Sequence, residues 1–329
     1  MLRILHDTNY DFIRWWKVMA GLTLAFIVLG LGSLAVKPPN YSIEFTGGTL
    51  MQLNFVQPPD VGQIRATLDQ AGIPGVEIQQ FGTNRDFTVR AQNPATVAAQ
   101  ANGATSIADR IGQVLKQKFG ENSFRVIRTE GVGPRVGSEL RRGAIIAILL
   151  SFLITLIYLS IRFEWRFAAA AVIATSHDVF TTIAFLKLMH LEISLTVVAG
   201  LLTVLGYSLN DTIIIFDRVR ENLRRGRKET LYVTLNRSIN ETLPRSVLTH
   251  ATTFAATFAL LIFAGEVIRP FAWVMAFGIV TGTFSSIYVA APVLLWIERK
   301  WPRKTGARES SSTATPTSRT RRSPVTATR

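Results

Sequence analysis

Asp211 is an acidic residue within a stretch that otherwise has the composition of a lipid-buried helix. Between positions 194 and 216 the only other ionisable side chain is that of Tyr207, and Asp217 begins the charged sequence that follows. A carboxylate within the hydrocarbon region costs roughly 2.5–3.5 kcal/mol on insertion scales, so it needs a cation, a proton or a water-filled cavity. The chemistry open to such a group is proton binding and release, which makes Asp211 the first candidate functional residue.

Arg245 is the best-placed cation for Asp211. It stands at the start of a later apolar run, directly after Leu243-Pro244, at a depth similar to that of Asp211 in its own run. If the two helices are neighbours, we expect the carboxylate to alternate between pairing with Arg245 and taking a proton. The sequence leaves an alternative open, in which Arg245 extends toward lipid headgroups while Asp211 makes a static polar contact.

The dipeptide His177-Asp178 places a second carboxylate near the middle of another apolar run. The two side chains either belong to a proton relay or serve as hydrogen-bonded packing groups between helices. Adjacent helical residues point about 100° apart, so we do not expect these two to form a catalytic dyad with each other. His250, which follows Arg245 by five positions, is a weaker candidate for which a structural role is favoured.

Composition points to a membrane protein and away from an enzyme. The 329 residues are 48% hydrophobic with a mean hydropathy of +0.27. The apolar residues fall in blocks of about 20, the length that crosses a bilayer. The absence of cysteine excludes disulfides, thiolate catalysis and cysteine-based metal sites. No catalytic serine framework, HExxH motif, phosphate loop or dinucleotide fingerprint occurs, so we expect that the protein is not an enzyme and binds no cofactor. We expect its energy source to be an ion gradient, with H⁺ as the coupling ion.

Basic residues segregate to one side of the predicted spans. Seven Lys and Arg residues lie between positions 218 and 237 and nine from 299 onward, whereas the short turns on the other side carry few. The positive-inside rule therefore places both termini in the cytoplasm. The predicted order is a cytoplasmic N-terminus (1–17), spans at 18–36, 144–161, 167–188, 194–216, 247–264 and 271–296, an extracytoplasmic domain (37–138), a basic cytoplasmic connection (217–246) and a disordered basic cytoplasmic tail (297–329). Such a tail is expected to be solvated rather than to bind a specific nucleic acid.

The polar region 37–138 changes its hydrophobic periodicity in the order βαββαβ, which is typical of a ferredoxin-like sandwich. We expect Asp60 to cap the first helix and Gly47-Gly48 to let the chain turn tightly into the first strand. The six elements are predicted at Thr49–Val56, Asp60–Ala71, Val76–Phe81, Asp86–Arg90, Ser106–Phe119 and Ser123–Glu130. The fold class is thus a polytopic α-helical membrane protein with six transmembrane helices and one α+β domain between the first two.

Two glycines on the sixth predicted span have a spacing typical of close helix packing. Gly278 and Gly282 are four residues apart, so both lie on one face of the helix. This pattern predicts a tight contact between helices and carries no chemistry of its own.

Five segments within residues 1–300 have sequences specific enough to identify a family. They are IEFTGGT (43–49), YLSIRFEWRFA (158–168), HDV (177–179), LTVLGYSLNDTIIIFDRVREN (202–222) and LPRSVLTHATT (243–253). Together they resemble the SecF family of the SecD–SecF protein-export complexes, within the resistance-nodulation-division superfamily. The resemblance implies a multi-pass protein of the bacterial cytoplasmic (inner) membrane with one large extracytoplasmic domain. The implied partners are SecD, the SecYEG channel, YidC, the translocating preprotein and membrane lipid.

The same resemblance associates Asp211 and Arg245 with proton-driven assistance to preprotein translocation. Two positions depart from the expected motifs. Glu44 stands where an aspartate is expected, and His250 stands where a small polar residue is expected. The second departure adds a titratable group near Arg245.

A different class of function remains open on the sequence alone. The chain could be half of a proton-driven exporter of small molecules or lipids from the same superfamily, and more remotely a passive scaffold. An exporter half is expected to carry larger extracytoplasmic domains that form a substrate cleft, which the region 37–138 hardly supplies.

Overall fold

The computed structural model describes residues 8–92, 107–225, 229–265 and 267–302. A bundle of long helices carries a small sheet domain between its first and second long helices. In chain order the elements are α1 (Trp16–Gly32), α2 (Ile43–Thr46), β1 (Gly48–Phe55), α3 (Val61–Gln70), β2 (Glu77–Gln80), β3 (Asp86–Ala91), α4 (Ile107–Phe119), β4 (Phe124–Val132), α5 (Pro134–Arg162), α6 (Trp165–Leu188), α7 (Leu195–Arg224), α8 (Leu231–Phe263), α9 (Arg269–Ser285) and α10 (Ala291–Lys300).

Six segments of the described chain are long and apolar enough to cross a membrane, as the sequence predicted. A π-helical segment, Ser286–Ala290, joins α9 to α10, so these two helices form one continuous span. The six segments are Ile13–Ala35, Pro134–Arg162, Trp165–Leu188, Leu195–Arg224, Leu231–Phe263 and Arg269–Lys300. The chain is therefore a polytopic α-helical membrane protein.

The helices continue well past the apolar runs that predicted them. Most of the predicted connection 217–246 is helical, because α7 ends at Arg224 and α8 begins at Leu231. Polar contacts hold these extensions together: the Asn222 amide donates to Glu241 Oε2 at 2.8 Å, and Arg218 Nε donates to the same oxygen at 2.5 Å. Hydropathy marks where a helix is apolar and cannot show where it ends.

Two other predicted boundaries shift for the same reason. Helix α5 begins at Pro134, inside the region predicted as domain, and α10 runs to Lys300, inside the region predicted as tail. The remainder of that tail, 303–329, lies outside the described residues.

Helices α6, α7 and α9 form the centre of the bundle. More than half of the residues in their most apolar windows are buried, against 6% for α1 and α5. Gly278 and Gly282 lie at the contact of α9 with α7, where a Cβ on Gly278 would overlap the Val204 side chain and one on Gly282 would stand 2.9 Å from Ser208 Cβ. The two central helices therefore approach closely at the depth where the polar residues described below are found.

The sheet domain has four antiparallel strands in the order β2-β3-β1-β4. Its elements follow one another in the predicted order β-α-β-β-α-β, although β2 is shorter than expected and Ser106 lies outside the described residues. Asp60 caps α3 as predicted, since its Oδ1 accepts from the Gly62 N–H at 2.9 Å. One face of the sheet packs against α3 and α4, and the shared core includes Met51, Leu53, Phe55, Ile64, Leu68, Phe87, Val89, Ile111 and Leu115.

The segment Ile43–Thr49 contains more structure than the tight turn that the sequence predicted. Ile43–Thr46 forms a single helical turn, α2, and Gly47 and the first residue of β1, Gly48, then take φ values of +76° and +126°. A Cβ on Gly48 would overlap the Ala91 carbonyl oxygen, and a Cβ on Gly47 would stand 3.0 Å from Pro134 Cα. Only glycine meets both the left-handed backbone and the close approach, so the pair fixes the sheet domain against the start of α5.

Candidate functional site

Asp211 lies on the buried face of α7 and is only 3% exposed. Its Oδ1 accepts a hydrogen bond from Ser246 Oγ on α8 at 2.5 Å. Its Oδ2 is buried and has no hydrogen-bond partner among the described residues. An unpaired carboxylate oxygen in such a place is costly, so Oδ2 is the atom at which a proton, a water or an incoming cation would be stabilised.

Arg245 does not pair with Asp211 in this structure. Its side chain is exposed, and among the described residues no ion pair joins the two. Successive residues on α8 point about 100° apart, so Ser246 faces Asp211 while Arg245 faces outward. The sequence could not show which of two adjacent side chains on α8 faces the carboxylate.

His250 stands one helical turn beyond Ser246 and is buried at 9% exposure. Its Nδ1 lies 2.9 Å from Thr283 Oγ1 on α9, and its ring lies 5.3 Å from the ring of Tyr207, centre to centre. The Tyr207 hydroxyl in turn donates to the Thr249 carbonyl at 3.2 Å. His250 therefore belongs to the polar surroundings of Asp211, a position that its sequence context alone did not favour over simple packing.

Asp178 is fully buried at the centre of the bundle. Its Oδ2 accepts from Ser208 Oγ on α7 at 2.5 Å and from Ser285 Oγ on α9 at 2.7 Å. The carboxylate thus ties three helices together through two hydroxyl groups.

His177 contacts Asp178, contrary to the expectation that the adjacent side chains would diverge. His177 Nδ1 lies 3.2 Å from Asp178 Oδ1. The two Cα–Cβ bonds diverge, but rotation about the side-chain bonds brings the ring and the carboxylate together. His177 Nε2 is buried and has no partner in the described part of the chain, so this ring has one free position for a proton or an acceptor.

Small hydroxyl side chains connect the surroundings of the two carboxylates. The distance from Thr212 Oγ1 to Ser286 Oγ is 2.8 Å. Thr212 follows Asp211 in the chain, and Ser286 follows Ser285, which donates to Asp178. Ser286 opens the π-helical segment, and such segments occur frequently at functional sites. These serines and threonines were missed by sequence reasoning, although hydroxyl residues inside an apolar helix are a known signal of contacts between helices.

The first turn of α7 joins the helix to the sheet domain. The Leu195 N–H donates to Glu44 Oε2 at 2.6 Å, and the Ser42 hydroxyl donates to the same oxygen at 3.1 Å. The backbone adds two bonds, from Ser42 N to the Ile193 carbonyl at 2.9 Å and from Ile193 N to the Asn40 carbonyl at 2.7 Å. The acidic position of the IEFTGGT segment therefore caps the first N–H of the helix that carries Asp211, beside the N-cap Ser194, whose hydroxyl accepts from the Val197 N–H at 3.3 Å.

An ion pair between Arg90 on β3 and Glu192 reinforces the same contact. Burial raises the pKa of the Glu192 carboxyl, and the Arg90 guanidinium opposes that rise. Because burial dominates, the docked arrangement binds a proton at Glu192 more readily than a solvated glutamate would.

Comparison with known proteins covers nearly all of the described chain. Residues 111–300 match the family described as "Protein export membrane protein SecD/SecF, C-terminal", and residues 32–59 match the "SecD/SecF GG Motif". The second match contains Glu44 and the glycine pair, and the first contains Asp178, Asp211 and Arg245.

Two relatives and two solved structures show how far the similarity extends. The protein translocase subunit SecF of Gemmatimonas aurantiaca is 64% identical over 305 residues (92% of this chain, 91% of that one), and that of Vibrio alginolyticus is 40% identical over 296 residues (90% and 92%). The crystal structure of SecDF from Thermus thermophilus superposes with a TM-score of 0.79 at 34% identity, and SecDF in its super-membrane-facing form with 0.65 at 36%. The two superpositions include 91% and 90% of this chain, respectively, and this chain spans 40% of each of the longer SecDF chains. The chain therefore belongs to the SecF family of protein translocase subunits, auxiliary membrane components of Sec protein export.

Proposed function

We propose that this chain works with SecD to draw on the proton gradient and promote preprotein translocation across the cytoplasmic membrane. The observation that carries the proposal is the buried Asp211 Oδ2, which has no hydrogen-bond partner among the described residues. A group that takes a proton from one side and releases it to the other is worth about 2.3 kcal/mol per 100 mV to a two-state rearrangement. Asp211 is the proton carrier, and Asp178 with His177 forms a second proton-binding pair in the same bundle.

Arg245 takes part through a change in the orientation of α8. Pro244 precedes it and interrupts the hydrogen bonding of α8, which makes this point of the helix the easiest to bend or twist. A local rotation there exchanges Ser246 for Arg245 at Asp211. The cation then favours loss of the proton, and its withdrawal favours uptake.

Helix α7 carries this change to the sheet domain. Leu195, at the Glu44 cap, precedes Asp211 by sixteen positions, which corresponds to about 24 Å along the helix axis at 1.5 Å per residue. A shift of α7 driven at Asp211 is transmitted through the cap and the Arg90–Glu192 pair. The domain thereby changes its position relative to the membrane as the proton moves.

We infer that the sheet domain is a ferredoxin-like sandwich, an inference that the strand order β2-β3-β1-β4 supports, and we assign it to the extracytoplasmic side. Both termini are then cytoplasmic, in accord with the basic residues at the 218–237 end of the bundle. The proposed partners in the inner membrane are SecD, the SecYEG channel and YidC, and the domain offers its surface to the emerging preprotein.

Labelling of engineered cysteines in this cysteine-free chain checks the orientation. In intact cells, a cysteine replacing the exposed Asn84 is expected to react with an impermeant reagent, whereas one replacing the exposed Arg225 is expected to be protected. Permeabilised cells provide the control, since both positions should then react. The opposite pattern in intact cells would show an inverted topology.

Reconstitution tests the function itself. Vesicles that contain SecD, the SecYEG channel, this chain and a preprotein arrested midway are given an imposed proton gradient, and completion of translocation is measured. We expect the gradient to raise completion only when both SecD and this chain are present. The exporter alternative predicts instead that the gradient drives extrusion of an apolar dye and leaves translocation unchanged.

A further inference from the structure

A cavity of about 270 Å³ lies at the end of the bundle next to the sheet domain. The end of the first span, α5, α6 and the start of α7 surround it. We propose that this cavity binds an acyl chain of an anionic phospholipid whose headgroup is held by basic residues at the rim. The proposal is independent of the proton-driven function.

The interior of the cavity suits an apolar occupant. Its volume is near the lower end of ligand pockets, roughly 300–1,000 Å³, and therefore fits part of one acyl chain rather than a whole lipid. Most of its lining is apolar, and a predominantly apolar pocket takes apolar guests. The walls include Leu34, Ala144, Ile148, Leu186, Val198 and Leu201.

The cavity opens toward an exposed face of α5. Ile145 lines the cavity and is 54% exposed, and Leu149 and Leu153, one and two turns further along α5, are also exposed. Residues four apart lie on one face of a helix, so these three side chains form a continuous apolar stripe leading to the opening. An occupant would enter from the hydrocarbon region of the membrane.

The rim of the cavity is basic. Arg141 lies one helical turn before Ile145, at the boundary between the polar and apolar parts of α5, and it has no hydrogen bond or ion pair with another described residue. Lys187 also lines the cavity, and its Nζ donates to the Lys37 and Pro38 carbonyls at 2.9 and 3.0 Å, which leaves one N–H for a ligand.

No acidic side chain forms an ion pair with Arg141 or Lys187 in the described part of the chain, and Glu139 on the same helix pairs with Arg135. Glu44 is engaged by the start of α7, and Glu192 is engaged by Arg90. A phosphate at headgroup depth would therefore meet two cations, and Arg and Lys side chains form strong charge-assisted hydrogen bonds with phosphate oxygens. The charge at the rim selects an anionic lipid, and the apolar interior selects its chain.

Lipid retention by the full chain tests the proposal. The chain is purified in detergent, phosphatidylglycerol or phosphatidylcholine with the same acyl chains is added, and native mass spectrometry measures the bound lipid. We expect one phosphatidylglycerol to be retained in preference to phosphatidylcholine. We expect Arg141→Gln to weaken this binding about five-fold, the equivalent of about 1 kcal/mol for one interfacial cation. The matched control is Arg142→Gln, on the adjacent exposed residue that does not line the cavity, and it should leave retention unchanged.

A second variant tests the chain-binding part of the site. Ala144→Phe fills the cavity and should abolish selective retention, while thermal unfolding confirms that the variant is folded. Inorganic phosphate should not compete, because the site takes a lipid phosphate together with its chain. Equal retention of the two lipids, or unchanged retention by both Arg141→Gln and Ala144→Phe, would overturn the proposal. So would a photoreactive residue at position 145 that attaches in cells only to protein and never to lipid.

Discussion

Replacing Asp211 by asparagine is expected to abolish the gradient-dependent part of preprotein translocation and to leave the gradient-independent part unchanged. The amide has the shape of the carboxyl group and keeps an oxygen that accepts from Ser246 Oγ. It cannot bind or release a proton at the second position, where Oδ2 now lacks a hydrogen-bond partner among the described residues. The measurement is translocation with and without an imposed gradient, in vesicles that contain SecD and the variant.

Asp217→Asn is the matched control for this substitution. It makes the same change on the same helix, at an exposed carboxylate 4.0 Å from Arg162, and stimulation by the gradient should persist. Arg245→Ala is expected to behave nearly like Asp211→Asn, because Asp211 would lose the cation that drives its proton off. Full stimulation in the Asp211→Asn variant would remove this residue from the proton pathway, and Asp178 would become the next candidate.

Sequence reasoning located the two carboxylates but not their partners. Hydropathy places Asp178 and Asp211 at membrane depth, since a single charge within an apolar run is visible without a structure. Whether Arg245 or Ser246 faces Asp211 depends on the rotation of α8 about its axis, and a change of about 100° separates the two answers. The packing of two helices fixes that angle, and no pattern within one helix encodes it.

For the sheet domain too, the sequence predicted the local structure but not the contacts between distant parts of the chain. Alternation of apolar residues and the Asp60 cap predicted its six elements in order, because these signals are local. The bond from Leu195 N to Glu44 joins residues that are 151 positions apart, and nothing near Glu44 in the sequence indicates a helix terminus to cap. Contacts of this kind are created by the docking of the domain and can be found only in three dimensions.

Loss of the Glu44 carboxylate is expected to uncouple the sheet domain from α7 while the chain remains folded. In Glu44→Ala the Leu195 N–H and the Ser42 hydroxyl both lose their acceptor. Removal of a helix cap costs about 0.5–2 kcal/mol, which is small for a helix of this length held on several sides. We therefore expect normal assembly with SecD but a large loss of gradient-dependent translocation, since movement of α7 would no longer carry the domain with it.

A series of substitutions at position 44 separates this coupling from a simple effect on stability. Glu44→Asp keeps a charged acceptor, and aspartate is the residue expected at this position of the family motif. Stimulation of translocation by the gradient should therefore be retained. Glu44→Gln keeps a neutral acceptor oxygen, and stimulation of its translocation by the gradient should lie between that of the aspartate and alanine variants, because the helix N-terminus favours negative charge. Glu121→Ala is the control within the same domain: Glu121 is exposed between α4 and β4 and forms no ion pair with another described residue. If Glu44 had a merely structural role, the alanine variant would lose thermal stability, and the ratio of translocation with the gradient to translocation without it would stay unchanged. Coupling through Glu44 predicts instead that this ratio falls in the order aspartate, glutamine, alanine.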